Sequence, residues 1–174
     1  MIELEALTHA VAEYLQKHAG FNTGEVGVHG RGRPPASAGM VYAAVHAGDW
    51  MSGGPGHNLD LKVAVSVTLS VKLGQIPLDR WQYSGSYSAD DGLEIISLLV
   101  LKCLHQRYDV ITLANTKLSN GVSPFMEPLS FVRSGEPQER EAQWWSGSVT
   151  QSKGPLGLSR TLQFSGARII QGTW

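Results

Sequence analysis

The chain has 174 residues, 42% of them hydrophobic and 17% charged, with 14 Lys and Arg against 15 Asp and Glu for a formal net charge of -1. That length fits one domain with a single core and excludes two full ones. The near-neutral balance excludes a global field toward nucleic acid or anionic lipid, and so low a charged fraction implies surface hidden in an assembly. Cys103 is the single cysteine, which excludes an internal disulfide and a multi-cysteine zinc site.

The opening Met1-Ile2-Glu3-Leu4-Glu5 is acidic where a secretory signal would be basic, and no apolar run reaches membrane-spanning length, so the expected compartment is cytoplasmic. Leu4, Leu7, Ala10, Val11, Tyr14 and Leu15 recur at three-and-four spacing and predict an amphipathic helix over 3–18. Gly20 supplies its left-handed cap. Residues 20–40, which run into Gly30-Arg31-Gly32-Arg33-Pro34-Pro35, read as an extended loop. Val41 to His46 reads as a short strand running into Gly48-Asp49-Trp50, within a second extended loop at 47–58.

The strongest pattern follows. Leu59, Leu61, Val63, Val65, Val67, Leu69, Val71 and Leu73 alternate with Asp60, Lys62, Ala64, Ser66, Thr68, Ser70 and Lys72 without a break. Such a strand is on the order of 50 Å long, and its length predicts that it protrudes beyond its own domain. Pro77 closes it, and Tyr83 to Ser88 reads as loop. Asp90 or Asp91 then caps a helix through Leu93, Ile96, Leu99, Val100, Cys103, Leu104 and Arg107, and Asp109 restarts a short one over 110–118 that Asn120-Gly121 stops. Three strands close the chain, at 129–133, 142–150 and 158–170, with Ser134-Gly135-Glu136-Pro137 as the turn between the first two. The order predicts one α+β domain over 1–174, a mixed or antiparallel sheet with a long amphipathic strand, flanked by two main helices on one face.

No catalytic constellation stands out. The sequence has no Gly-x-Ser-x-Gly elbow, no His-Glu-x-x-His helix and no P-loop ending, so neither a catalytic residue nor a cofactor is expected. His29, His46 and His57 lie at irregular spacing in or beside loops, which favours structural or solvent-exposed histidines over a metal site. Asp90 and Asp91 resemble paired carboxylates, but a helix cap explains them. Arg31 and Arg33 between glycines suit phosphate contact, an intersubunit salt bridge or a solvated loop. Trp50, Trp81, Trp144 and Trp145 either complete the domain's core or anchor an interface, and the sequence does not orient them. Cys103 among apolar helix neighbours reads as a buried small hydrophobe.

Taken together, the helix over Ile2 to His18, the Gly/Pro/Arg segment Gly30 to Pro35, the strand Val41 to His46 and the alternating strand Leu59 to Leu73 resemble the tail terminator, or tail completion, proteins of long-tailed bacteriophages. The stretch Ile76-Pro77-Leu78-Asp79-Arg80-Trp81 before a second helix and closing strands fits the same order. The resemblance implies a structural virion protein with no active site, assembled as a hexameric ring. Such a ring caps the tail tube protein, offers its other face to the head-tail connector or stopper, and adjoins the sheath if the tail is contractile. It also implies incidental contact with DNA in the lumen, no membrane, and a life in the host cytoplasm before the virion. Candidate intersubunit or partner contacts are Arg31, Arg33, Trp50, Asp60, Lys62, Lys72, Trp81, Trp144 and Trp145. The longer Gly-rich loop at 47–58 and the strands after Pro124 depart from the small family members and leave open another neck or minor structural component. A different class of reading is a small mixed-sheet enzyme with its pocket at His46, Asp49 and His57.

Overall fold

A computed structural model describes residues 3–28, 34–35, 38–53, 59–119, 125, 127–141 and 154–170, with the backbone alone at 3, 49–53, 59–61 and 167–170. In chain order its elements are α1 (Glu3–His18), a 3-10 turn at Thr23–Glu25, β1 (Val26–Gly27), β2 (Val41–Gly53) and β3 (Leu59–Lys72). Next come β4 (Ile76–Pro77), a 3-10 turn at Asp79–Trp81, β5 (Ser86–Tyr87), α2 (Ala89–Leu104) and α3 (Tyr108–Thr116). The chain closes with β6 (Ser130–Ser134), β7 (Gln138–Glu141) and β8 (Pro155–Ile170). This is an α+β fold with a mixed sheet: β1 runs parallel to β2, and every other pair in the sheet is antiparallel.

The alternating strand sits at the centre of the sheet order β1-β2-β3-β8-β6 and pairs residue for residue with β2 on one side and β8 on the other. It therefore does not protrude alone, because both neighbours match its length. Its period of two sorts the sheet into two faces. Val63, Val65, Val67, Leu69 and Val71 are no more than 1% exposed, and they join Val41, Ala43 and Val45 of β2 and Leu158, Leu162 and Phe164 of β8 in one core with all three helices. Truncating a leucine among them, such as Leu69 or Leu162, to alanine removes transfer energy and leaves a cavity, at about 2 to 5 kcal/mol. Beyond Val63 the three-stranded ladder runs on through Lys62 to Leu59, opposite Gly53 and Ile170.

Several local expectations need correcting. The loop predicted over 47–58 is strand as far as Gly53, because cross-strand bonding to β3 carries the chain past Gly48, a residue tolerated inside a paired strand. The loop predicted over 20–40 contains β1, where a side chain at Gly27 would put its Cβ 1.8 Å from the Tyr42 hydroxyl. Ser88, not Asp90 or Asp91, caps α2: its Oγ accepts the Asp91 N–H at 3.3 Å and the two aspartates occupy the first turn, where the helix dipole favours them. Ser134-Gly135-Glu136-Pro137 is not a hairpin turn. The Gly135 N–H reaches the Thr161 carbonyl at 2.9 Å, and both β6 and β7 pair with β8, so they form one interrupted edge. The strand expected at 142–150 lies outside the described residues, and β7 precedes it.

The helices pack on one face. Leu7, Val11 and Leu15 of α1 and Leu93, Ile96, Val100 and Leu104 of α2 are fully buried. Glu13 of α1 holds Lys17 and, across to the residue after α3, Lys117, each at 2.6 Å. These two ammonium groups lower its carboxyl to about 2. A carboxyl held below its unfolded value stabilises the fold above that value and loses the contribution as pH falls toward the folded one. Glu13→Gln should therefore lower stability at pH 6 by about 0.5 to 1 kcal/mol, the range for partly exposed ion pairs. It should also flatten the pH dependence of the melting temperature from roughly pH 4.5 down to 2, read by circular dichroism melts across that range.

Candidate interaction surfaces

Among the described residues, no group of three His, Cys, Asp or Glu side chains gathers as metal ligands. Nor is any helix among the described residues long and apolar enough to cross a membrane. Burial pushes the Cys103 thiol up to about 11, so it is protonated at neutral pH. His46 and Asp49 do not converge: both lie on β2, three residues apart and therefore on opposite faces by register, which follows from strand where loop was expected. His46 is exposed on the face away from the helices. His29 and His57 lie outside the described residues, as do Arg31, Arg33, Trp144 and Trp145.

Trp81 is a core residue of its own chain rather than a contact residue. It is 5% exposed, its Nε1 donates to the Ala19 carbonyl at 2.5 Å, its ring meets Phe21 edge-on at 5.9 Å, and the Arg80 guanidinium lies 3.9 Å above it. Gly20, at φ +78°, leaves the space: a Cβ there would stand 2.8 Å from the indole. The tryptophan thus pins the α1 exit to the segment between β3 and α2, and Glu25 reinforces it through Arg80 at 2.6 Å. Arg80 stacks on the next residue, but its ion-pair partner Glu25 is 55 residues away in the chain, which sequence spacing alone does not reveal.

The remaining candidates share the sheet. The backbone of Trp50 pairs with Lys62, and that of Asp60 pairs with Ser52 and Ile169, at the far end of the ladder. Lys62 is exposed and Lys72 half-buried on the face opposite the helices, where the Lys72 Nζ donates to the Ala38 carbonyl at 3.3 Å. Ala38 covers this end of the face with Tyr42 and Ala44, and burial raises the Tyr42 hydroxyl above its ordinary value. Ser70 and Ser159 of the same face are buried beside them, and the row beyond is of half-buried small polar groups. Ser66 and Thr68 of β3 lie beside Gln163 and Thr161 of β8, with the two threonine hydroxyls 3.0 Å apart. Arg133 and Arg140, which the sequence reading did not single out, join this face from the edge strands: Arg133 Nε donates to Gln163 Oε1 at 2.6 Å and Arg140 Nε to Ser159 Oγ at 2.7 Å. The signal for them is parity against β8, which exists only once the register is known.

On the helix side, a groove of about 490 Å³ opens between the end of α2 and β6, lined by Leu101, Lys102, His105, Gln106, Arg107 and Phe131. The Phe131 N–H donates to His105 Nδ1 at 3.0 Å, which leaves the histidine proton on Nε2, facing away from that bond. The basic residues here complement the negative end of the α2 dipole, and Arg107 Nε donates to the Lys102 carbonyl at 3.3 Å.

The two edges of the sheet are unlike. β6 and β7 carry register shifts, Pro137 between them, and Glu136, Glu139 and Glu141 along the edge, all devices that discourage strand addition. β2 pairs with β1 only at Ala43 and Ala44, and from Val45 to Gly53 its outer edge has no strand partner among the described residues. That stretch contains no proline and no lysine. No protein-family model and no curated protein matches the chain. The core placement of Trp81 has a direct check: Trp81→Ala should cost about 3 to 5 kcal/mol, typical of removing a buried tryptophan, in denaturant unfolding, with no change in the mass of the species in solution.

Proposed function

We propose that this chain is a structural virion protein, a phage tail terminator subunit that assembles into a hexameric ring, caps the tail tube and joins it to the head connector. The reading assigns it no catalytic step. One observation carries it. Among the described residues the sheet has one edge without a strand partner, Val45–Gly53 of β2, and one broken by register shifts and lined with glutamates, β6–β7, and unlike surfaces are what a head-to-tail contact that closes into a ring requires. An extended segment from a neighbouring copy can add to the open edge through main-chain hydrogen bonds. The element order that resembles the terminators supports the same reading, as does the low charged fraction of 17%.

The role proposed for the long strand differs from the one expected of it. β3 is paired on both sides, so it stiffens the ladder from within, and β2 is the strand that meets the neighbour. Light scattering across a concentration series, with and without tail tubes of the source particle, should show a six-fold species or a stable cap on tube ends. A His46→Cys variant labelled with a thiol-reactive photo-cross-linker should then join to a neighbouring copy on illumination, since Cys103 is buried and takes no label. A strict monomer that leaves the tubes uncapped contradicts the proposal.

A further inference from the structure

The start of β6 is closed along its outer edge by the residues that leave α2. In a strand the C=O of one residue and the N–H two residues on lie on the same edge, here the Leu129 carbonyl and the Phe131 N–H. Gln106 donates its backbone N–H to the first at 2.8 Å, and His105 accepts the second on Nδ1 at 3.0 Å. These are the bonds that an added strand would make at this place. Gln106 stands at φ +56°, a left-handed turn that brings its N–H back to β6, and its side-chain amide also donates to Ser130 Oγ. One half of the closure is thus a backbone amide, which does not titrate. The other half is an imidazole nitrogen, which accepts only while it carries no proton.

Nothing around the ring holds it in place once it is charged. Lys102 of α2 and Arg107 beyond it line the groove with His105, β6 contributes Phe131, and no carboxylate faces the ring among those lining residues. Arg133 of β6 lies on the other face of the sheet, bonded to Gln163. Asp109 of α3 is engaged with the Tyr14 hydroxyl of α1, and β8 brings Phe164, which meets Phe131 edge-on. Glu127, exposed on the segment before β6, is not part of the lining. A protonated ring no longer accepts from Phe131, and the carbonyl end of α2 draws it away, because a cation is favoured there.

We propose that His105 is a pH-operated guard on the β6 edge: neutral, it occupies the Phe131 N–H, and on protonation it releases that group and leaves this stretch closed by Gln106 alone. An imidazole ordinarily changes charge between about pH 5 and 8. A bond made only by the neutral ring is present above that titration and lost as pH falls through it. The inference concerns the edge opposite the one assigned to a neighbouring copy, and it holds with or without a ring.

The test is a pH titration of the full chain by NMR, following the His105 ring nitrogens and the Phe131 amide together from about pH 8 to 5. The neutral ring should carry its proton on Nε2, and the Phe131 amide shift should move with the midpoint of the ring. Protection of that amide from exchange, corrected for the intrinsic effect of pH, should fall by about two- to tenfold on protonation, the range for one net hydrogen bond. The Gln106 amide should hold its protection. His105→Asn offers an oxygen that accepts throughout the series, so it should keep the protection and lose the pH dependence. His105→Ala should lack the protection throughout, and if it disturbs folding by circular dichroism, the asparagine variant carries the test. A neutral ring with its proton on Nδ1, a Phe131 amide indifferent to the ring's titration, or a His105→Asn chain with the pH dependence intact overturns the proposal.

Discussion

Everything else in the molecule hangs on the double pairing of β3. A strand whose side chains alternate without a fault, hydrogen-bonded along its length to β2 and β8, cannot slip by one residue without turning its valines and leucines to solvent. That fixed register sets two faces at once. One receives α1, α2 and α3 over a continuous apolar core. The other is left with hydroxyls, amides and cations, because the same period that buries Val65 and Val67 turns Ser66 and Thr68 outward.

The helix layer is tied down by contacts that work at its corners rather than its centre. Trp81 and Arg80 clamp the end of α1, Glu13 links α1 to the residue after α3, and Arg160, an inward-facing charge on β8, reaches Glu94 of α2 at 2.5 Å. Burying an arginine on a core face is costly unless a partner meets it; Glu94 meets its Nη1 from the solvent edge, while the buried Nε has no hydrogen-bond partner among the described residues. These ties leave the sheet's outer face and its β2 edge as the broad surfaces without a helix against them among the described residues. The proposed subunit contact falls on the second of these, the edge.

Much of this was legible in the sequence, for physical reasons. The periods of α1, α2 and β3 are long and regular, and tertiary structure had nothing to override. The α+β class, the placement of two main helices and the burial of Cys103 follow from them. What was not legible depends on partners distant in the chain. Gly48 looks like a strand terminator until β3 lies beside it, and β3 looks like a projecting strand until two neighbours of equal length are found. The Ser134–Pro137 segment has turn chemistry, yet Gly135 bonds to Thr161 and the edge continues. Trp81 could not be assigned because its indole partner, the Ala19 carbonyl, is 62 residues away. The outer-face arginines were hidden for the same reason: Arg133 and Arg140 come to the same face as Lys62 and Lys72 only through the register of β8.

Amide hydrogen exchange across β2, for the protein alone and mixed with tail tubes, tests the central claim most directly. The account predicts that amides of Val45–Gly53 which exchange quickly in the isolated chain become protected on assembly, while those of β3 are protected in both states. Exchange along β2 that is unchanged by assembly would contradict it.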